Sequence, residues 1–199
     1  GGKIFSREEV REINAWLTSP KIPSLLTIGD EDDPVYHFGI FTAVASIYTI
    51  GIAALTYTFT SNAPYGWSKK YEYTYNSTGS TSFILRNDSD DLNDSVYPSV
   101  LIQGSQGENI TLTNLTETEE FSLTLPCDQL YINSKYHQIY RYYADKKVIV
   151  SLADLGWDEE MQESIADGTK SIYWLRLLPG ENKISVSGAC EITFTYRVP

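Results

Sequence analysis

The sequence contains few of the residues from which catalytic and metal sites are commonly built. Among 199 residues there are two His, two Cys and one Met. Two His leave little room for a His-based metal site or a catalytic triad, and two Cys exclude a small fold held by several disulfides. The Walker, dinucleotide-binding, nucleophile-elbow and zincin motifs are also missing from the sequence. The sequence therefore predicts a protein that is not an enzyme and that holds no cofactor and no metal.

Positive charge is also scarce. The 15 Lys and Arg residues stand against 26 Asp and Glu, which gives a formal net charge of -11 at pH 7. Nucleic-acid-binding proteins need a cationic surface to release the counterions of the phosphates, and anionic membrane surfaces attract cationic segments. We therefore expect neither a nucleic acid nor a membrane as a partner.

One uncharged segment, residues 38–56, has the length of a transmembrane helix. Hydroxyl side chains and two glycines interrupt it. At its two ends, large apolar residues occupy every second position, as in a strand with one buried face. Tyr36, Phe38 and Ile40 are an example. We therefore predict two neighbouring strands between residues 35 and 60, with a membrane span as the alternative.

Aromatic side chains, in contrast, are abundant. The chain has 15 Tyr, 7 Phe and 4 Trp, and its 42% apolar and 21% charged residues are ordinary for a folded protein. Aromatic and β-branched side chains fit the pleated surface of a sheet. We therefore expect a mainly β protein, long enough for one large domain or two small ones.

One segment, residues 6–18, predicts a helix instead. Ser6 is a typical N-cap residue, and Glu9 completes a capping box with it. Pro20 ends the helix, because the residue before a proline avoids the α region. The apolar stripe of the helix consists of Val10, Ile13 and Leu17.

The next residues predict a small strand-containing domain. A strand at 25–28 and an acidic turn at 29–34 precede the two apolar strands, and the turn formers of residues 61–66 mark a domain boundary. One helix and three strands are few for an independent domain. We therefore assign residues 1–60 to the C-terminal part of a domain whose other strands precede residue 1, and residues 61–199 to a second domain.

Residues 61–199 contain many short strands between turn residues, a pattern typical of an antiparallel β-sandwich. A turn around Gly79 divides the first of these segments, and a brief helix is predicted near Asp158. The predicted strand segments are 71–86, 97–103, 109–115, 119–126, 130–133, 138–141, 147–152, 172–177, 183–187 and 190–196.

Two groups of residues leave their interpretation open. Asp88, Asp90 and Asp94 loosely resemble a calcium-binding loop, but they lack its glycine and its distant bidentate Glu, so a solvated loop is favoured. Cys127 and Cys190 would form a disulfide if their strands were adjacent, whereas free thiols are favoured for a protein matured in a reducing cytoplasm.

Three strings of the sequence are distinctive: REINAWLTSPKIPSLLTIGDEDDPVYHFGIF, ALTYTFTSNAPYGWS and WLRLLPGENKISVSGACEITFTYRVP. In the first, a helix ending in Trp16 and Leu17 leads to a Leu-rich strand, an acidic turn and Tyr36. The third carries a closing Leu-x-Pro-Gly-x-Asn pattern and a final strand. These strings resemble sequences of the siphophage distal tail proteins. The resemblance covers most of the chain, although the first part of the family's N-terminal domain is missing and residues 47–55 are unusually apolar.

This resemblance implies a structural component of a siphophage tail tip, found in the virion after assembly in the bacterial host cytoplasm. In that family the N-terminal domains form a homohexameric ring, and a galectin-like β-sandwich projects outward. The implied partners are other copies of the chain, the tail tube protein, the tail-associated protein, and receptor-binding or baseplate proteins. No catalysis is implied.

Contacts between ring subunits need apolar surface, and residues 35–60 are the most apolar part of the chain. Trp157 is the candidate for partner contact in the sandwich, because aromatic side chains are enriched in binding hot spots. The candidates for ring contacts, with a place in the core of their own domain as the equal alternative, are Tyr36, Phe38, Phe41, Ile47 and Tyr48.

A carbohydrate-binding β-sandwich module is the alternative function, because galectin-like sandwiches commonly bind sugars through exposed aromatics. It predicts a concave face with an aromatic ring and convergent polar side chains. A third hypothesis, an enzyme of unrecognised type, would need a pocket containing titratable groups of perturbed pKa.

Overall fold

The computed structural model describes residues 4–28, 34–48, 52–89 and 91–199, without the side chains of residues 43–48, 52 and 53. The chain divides into two compact units. Unit 1 consists of residues 1–69 with Pro199, and unit 2 of residues 70–198. All but the last residue of the predicted acidic turn lie outside the described residues.

Unit 1 consists of one helix and a three-stranded antiparallel sheet. The helix is α1 (Arg7–Thr18), and the strands β1 (Ser24–Ile28), β2 (Val35–Tyr48) and β3 (Ile52–Ser61) lie in that order in the sheet. The prediction of two strands in the apolar segment is thereby confirmed. In the described part of the chain, none of the helices has the length and apolar character needed to cross a bilayer.

The capping box predicted for α1 is confirmed. The Glu9 backbone N–H donates to Ser6 Oγ at 3.1 Å, and the Ser6 N–H donates to the Glu9 carboxylate at 2.8 Å. The helix ends at Thr18, two residues before Pro20. The Tyr57 hydroxyl donates to Asn14 Oδ1 at 2.7 Å and so joins β3 to the helix.

Unit 2 contains eight strands and a short helix, α2 (Glu159–Ala166), which confirms the brief helix predicted near Asp158. The strands are β4 (Tyr71–Asn87), β5 (Ser99–Gly104), β6 (Asn109–Asn114), β7 (Glu119–Thr124), β8 (Gln129–Asn133), β9 (Gln138–Tyr143), β10 (Lys146–Ile149) and β11 (Gly180–Tyr196).

The eight strands form one continuous antiparallel sheet, curled into a half-barrel. Seven of them follow the order β10-β9-β8-β5-β11-β6-β7, and the eighth, β4, pairs with β11 beside this path. The mainly β, antiparallel prediction is confirmed, but the strands are not divided into two separate sheets. The reason is β11, which pairs with β5 through residues 190–195 and with β6 through residues 184–187. Along its other side, β11 pairs with β4 over its whole length.

The predicted turn at Gly79 is wrong, because β4 continues through it for 17 residues. β11 is likewise one strand of 17 residues rather than two. Gly79 lies opposite Gly188, and both have positive φ, 155° and 104°. Residues other than glycine rarely adopt such backbone angles. The two glycines therefore let the paired strands β4 and β11 bend at this point while their pairing continues on both sides of it. The curl brings the rings of Tyr75 and Phe83, both on β4, to a centroid distance of 3.7 Å.

The predicted strand at residues 172–177 is also wrong. This segment makes only an isolated bridge, in which Val96 and Leu177 exchange backbone hydrogen bonds of 3.0 and 2.7 Å. Its apolar side chains are buried by packing into the hydrophobic core of unit 2 and not by strand pairing. Alternation alone cannot separate these two situations.

The hydrophobic core lies in unit 2. Every buried hydrophobic side chain among the described residues falls between Leu85 and Val198, and Phe194 and Leu177 are examples with no exposed surface. Cys190 is buried in this core and Cys127 is half-buried, and the two are not bonded to each other.

Candidate functional site

The predicted contact residues of β2 make contacts inside unit 1. Tyr36 exchanges two backbone hydrogen bonds with Trp67, of 2.9 and 2.7 Å. The Phe41 ring lies 6.1 Å from that of Tyr57 and 5.1 Å from that of Phe59. These side chains, like that of Phe38, are half-buried. The backbones of Ile47 and Tyr48 belong to β2, whereas their side chains are outside the described residues.

The most exposed apolar side chains of unit 1 are others, which the sequence reasoning missed. Trp16 on α1 is 75% exposed and Ile22 is 74% exposed. Leu25 and Ile28 are exposed on the edge strand β1. Trp16 stands beside the apolar stripe of the helix rather than within it. That position was visible in the sequence and could have indicated a contact outside the unit.

In unit 2, Trp157 lines a cleft of about 520 Å³ between the β6–β7 hairpin and α2. The indole is half-buried. Its Nε1–H donates to the Ser122 carbonyl at 2.8 Å, and its ring lies 5.8 Å from that of Phe121. Asp158 caps α2 by accepting from the Met161 N–H at 2.8 Å. The ring is therefore held in a defined position at the wall of the cleft.

The lining of this first cleft is apolar near the helix and polar along the strands. Met161, Ile165 and Ile172 belong to the apolar part. On the strands, the hydroxyls of Thr111 and Ser122 hydrogen-bond each other at 2.9 Å. Because these hydroxyls already have a partner, the cleft is better suited to receive an apolar side chain than a strongly polar ligand.

A second cleft, also of about 520 Å³, is polar and has Trp174, His137, Tyr97 and Glu119 in its lining. The ring centroids of His137 and Trp174 are 5.1 Å apart at an interplanar angle of 22°. His137 has a left-handed backbone conformation at the end of a short 3-10 turn, which sets the direction of its ring.

A hydrogen-bonded clasp centred on Glu117 forms one wall of the second cleft. Its carboxylate accepts from Arg176 Nε at 2.8 Å and Nη2 at 2.6 Å, and from the Tyr173 hydroxyl at 3.0 Å. Asn114 Nδ2 also donates to it, at 3.3 Å. Burial raises the pKa of Tyr173 to about 12, so this phenol stays neutral. The clasp attaches the extended segment before β11 to the β6–β7 turn.

A metal site finds no support in the described part of the chain, where no three His, Cys, Asp or Glu side chains come together as ligands. Asp88 instead accepts from Arg86 Nε at 3.2 Å, and Asp94 accepts from the Ser95 N–H. Asp90 lies outside the described residues.

Comparison with known protein families decides the class of the protein. Residues 65–196 match the model of a phage tail C-terminal domain, and residues 2–63 match that of a phage tail protein N-terminal domain. This chain belongs to that family of phage tail proteins. Family membership makes it a structural component of the virion tail and not an enzyme.

The tail protein is also similar to a chain in the structure of the phage P2 baseplate in its activated conformation with Ca. The two share 9% sequence identity over 96% of this chain and 73% of that one, with a TM-score of 0.47. No curated protein sequence matches the tail protein.

Proposed function

We propose that this tail protein is a ring-forming hub at the tip of a siphophage tail. It joins the tail tube to the tail-associated protein and to baseplate or receptor-binding proteins. Residues 1–60 form the ring, and residues 61–199, which contain the curled sheet of unit 2, form a galectin-like domain that contacts the baseplate or receptor-binding proteins. The observation that carries the proposal is the exposed apolar surface of unit 1.

The described residues of unit 1 include exposed apolar side chains and no fully buried one. Helix α1 contains no buried residue, and none of the buried hydrophobic side chains in the described part of the chain belongs to this unit. Trp16, Ile22, Leu25 and Ile28 are exposed instead. Exposed apolar surface of this kind marks an interaction site, and contact with like subunits in a closed ring would remove it from water.

Within this proposal the residues of β2 have a supporting position. Tyr36, Phe38 and Phe41 are half-buried on β2. β2 pairs with the edge strand β1, which carries the exposed Leu25 and Ile28. The exposed part of the three rings would face the neighbouring subunit. Ile47 and Tyr48 continue the same strand. We keep all five as proposed ring or core contacts.

Replacing Trp16 by glutamate tests the ring. We expect the solution mass measured by light scattering to fall from that of a homohexamer, because a charge cannot be buried at the apolar contact without a partner. Tyr143→Glu is the matched control, because Tyr143 is 74% exposed on unit 2. A wild-type chain that stays monomeric over a wide concentration range would contradict the ring.

Unit 2 has the outward role in this proposal, and Trp157 is its proposed partner contact. Trp157→Ala is expected to weaken binding of the full chain to a receptor-binding or baseplate protein at least tenfold, as truncation of a hot-spot aromatic does. Calorimetric titration measures the affinity, and circular dichroism shows whether the fold is kept. Tyr143→Ala is the control on an exposed aromatic elsewhere in unit 2. Unchanged affinity in a folded Trp157→Ala chain would remove Trp157 from the contact.

Carbohydrate binding remains the second candidate function, and the second cleft favours it. This cleft combines an aromatic pair, His137 and Trp174, with the polar side chains of Glu119 and Arg176. Titration of the tail protein with fragments of the host cell-wall polysaccharide separates the two functions. A hub without lectin activity shows no saturable binding, whereas binding that is lost in Trp174→Ala would identify a lectin.

A further inference from the structure

The outer edge of β4 is the longest free strand edge in unit 2. Over its 17 residues, from Tyr71 to Asn87, β4 pairs with β11 on one side. On its other side, no strand of the described residues pairs with it. A free edge presents unpaired backbone N–H and C=O groups and is a template for pairing with another chain.

The two other free edges of this sheet are protected, and that of β4 is not. β10 has only four residues, of which Lys146 and Lys147 are charged, and β7 begins with Glu119 and Glu120. Short length and charged side chains are the usual means by which edge strands avoid pairing. β4 contains no proline, and its register with β11 has no bulge. Its only charged residues, Glu72 and Arg86, lie near its two ends, so the 13 residues between them are uncharged.

The sequence of β4 is complementary to itself when two copies run antiparallel about Gly79. In that register Glu72 of one copy lies opposite Arg86 of the other, at both ends of the paired region. Tyr75 lies opposite Phe83, and the hydroxyl residues near the centre lie opposite one another. Opposite charges, aromatic pairs and Ser/Thr pairs are the cross-strand neighbours that stabilise antiparallel sheets.

We infer that β4 is a docking edge for β4 of a second copy of this chain, paired antiparallel with Gly79 at the two-fold axis. The occupant is a second copy because the charges at the two ends of the strand match each other. Within its own chain Glu72 pairs with Lys70 at 2.6 Å, and Arg86 pairs with Asp88 and Glu181 at 3.2 Å. The side chains of Glu72 and Arg86 are still 55% and 59% exposed, so each keeps surface that can reach across the new pair. In this register, two opposed residues are both odd-numbered or both even-numbered. Because side chains alternate between the two faces of a strand, the inward-facing side chains of both copies lie on one side of the extended sheet.

This contact is independent of the proposed ring. A two-fold contact joins the same patch on two subunits, whereas a ring closes by rotation through two different patches. Pairing through β4 therefore doubles the number of chains in the assembly that unit 1 forms. It joins two single chains if unit 1 forms no ring, and two rings if it does.

Lysine substitutions at the centre of the edge test the inference. Thr78 and Ser80 lie opposite each other in the predicted register, so Thr78→Lys/Ser80→Lys places like charges face to face. We expect the solution mass of the full chain to be halved relative to wild type. The matched control is Ser187→Lys/Ala189→Lys on β11, the strand that pairs with β4. Those residues are also exposed and pair with Ser80 and Thr78. On the other side of β11, Ser187 pairs with β6 and the Ala189 N–H donates to the Glu108 carboxylate, so neither residue lies on a free edge.

The outcomes distinguish the inference from its competitors. Halved mass in the edge variant, with wild-type mass in the control and unchanged circular dichroism in both, supports pairing through β4. Wild-type mass in a folded edge variant would overturn it. A wild-type chain that stays monomeric up to about 1 mM would overturn it too, because that range includes weak dimers (Kd of 1 mM corresponds to about -4.1 kcal/mol).

Disulfide trapping tests the register separately. Directly opposed residues of antiparallel strands have Cα atoms about 4.5–5.5 Å apart, within the range that a disulfide spans. Thr78→Cys/Ser80→Cys is therefore expected to form a covalent dimer on oxidation. Thr74→Cys/Thr78→Cys is the control, because Thr74 lies opposite Ile84 in this register. Equal crosslinking of the two variants, or none in the first, would rule out pairing about Gly79.

Discussion

Replacing Phe194 by alanine is expected to lower the free energy of unfolding by about 3–5 kcal/mol, the usual cost of truncating a fully buried aromatic side chain. Phe194 has no exposed surface, and its ring lies 5.4 Å from that of Phe83 and 6.3 Å from that of Tyr75. It stands on β11, the strand that joins both parts of the curled sheet. The cavity left by the ring would therefore lie where the two parts of the sheet meet.

Urea denaturation of the full chain, followed by tryptophan fluorescence, measures this loss as a lower midpoint at unchanged slope. Tyr143→Ala is the control, because Tyr143 is 74% exposed and its replacement should change the free energy of unfolding by no more than about 0.5 kcal/mol. A loss below about 1 kcal/mol for Phe194→Ala would show that this part of the core is not packed as described.

Replacing Glu117 by alanine is expected to have the second-largest effect, a loss of about 2–3 kcal/mol. The Glu117 side chain is only 9% exposed and accepts hydrogen bonds from Arg176, Tyr173 and Asn114. Alanine would leave these donors without their acceptor. The loss stays below that of a fully buried ion pair, because the Arg176 side chain is 45% exposed and can be hydrated in part.

The matched control is Glu119→Ala, because Glu119 is the same residue type two positions away and is exposed. Comparing both variants by urea denaturation separates the clasp from a general effect of removing negative charge. Hydrogen exchange at residues 172–177 provides the second readout, and it should accelerate only in Glu117→Ala. Equal stability of the two variants would show that the clasp does not hold this segment.

Local signals predicted the parts of the fold that depend on neighbours in sequence. The capping box of Ser6 and Glu9 and the end of α1 before Pro20 were correct because their atoms lie within four residues of one another. The short strands of unit 2 were found for the same reason, since alternation reports burial of one face. The errors at Gly79 and at residues 172–177 concern long-range pairing, which the same local patterns cannot indicate.

The candidate site residues show the same limit. Trp157 was chosen for its residue type, but only the structure shows that its indole is held by Ser122 and Phe121 at the wall of a cleft. The exposed Trp16 was overlooked, because a sequence does not show whether an apolar residue has a core to enter. The membership in a phage tail family was already indicated by the closing Leu-x-Pro-Gly-x-Asn pattern, whose Asn182 is buried and hydrogen-bonded to the Leu178 backbone.

The sequence by itself determined the mainly β composition, the acidic surface, the helix with its cap and the kinship with phage tail proteins. Each of these follows from residue types and their spacing along the chain. Only the tertiary structure decided that β4 and β11 are single curled strands, that Trp16 and Ile22 of unit 1 are exposed, and that no strand of the described residues pairs with the outer edge of β4. These features depend on which distant segments pair, because backbone hydrogen bonds and burial across a sheet are made between residues far apart in sequence.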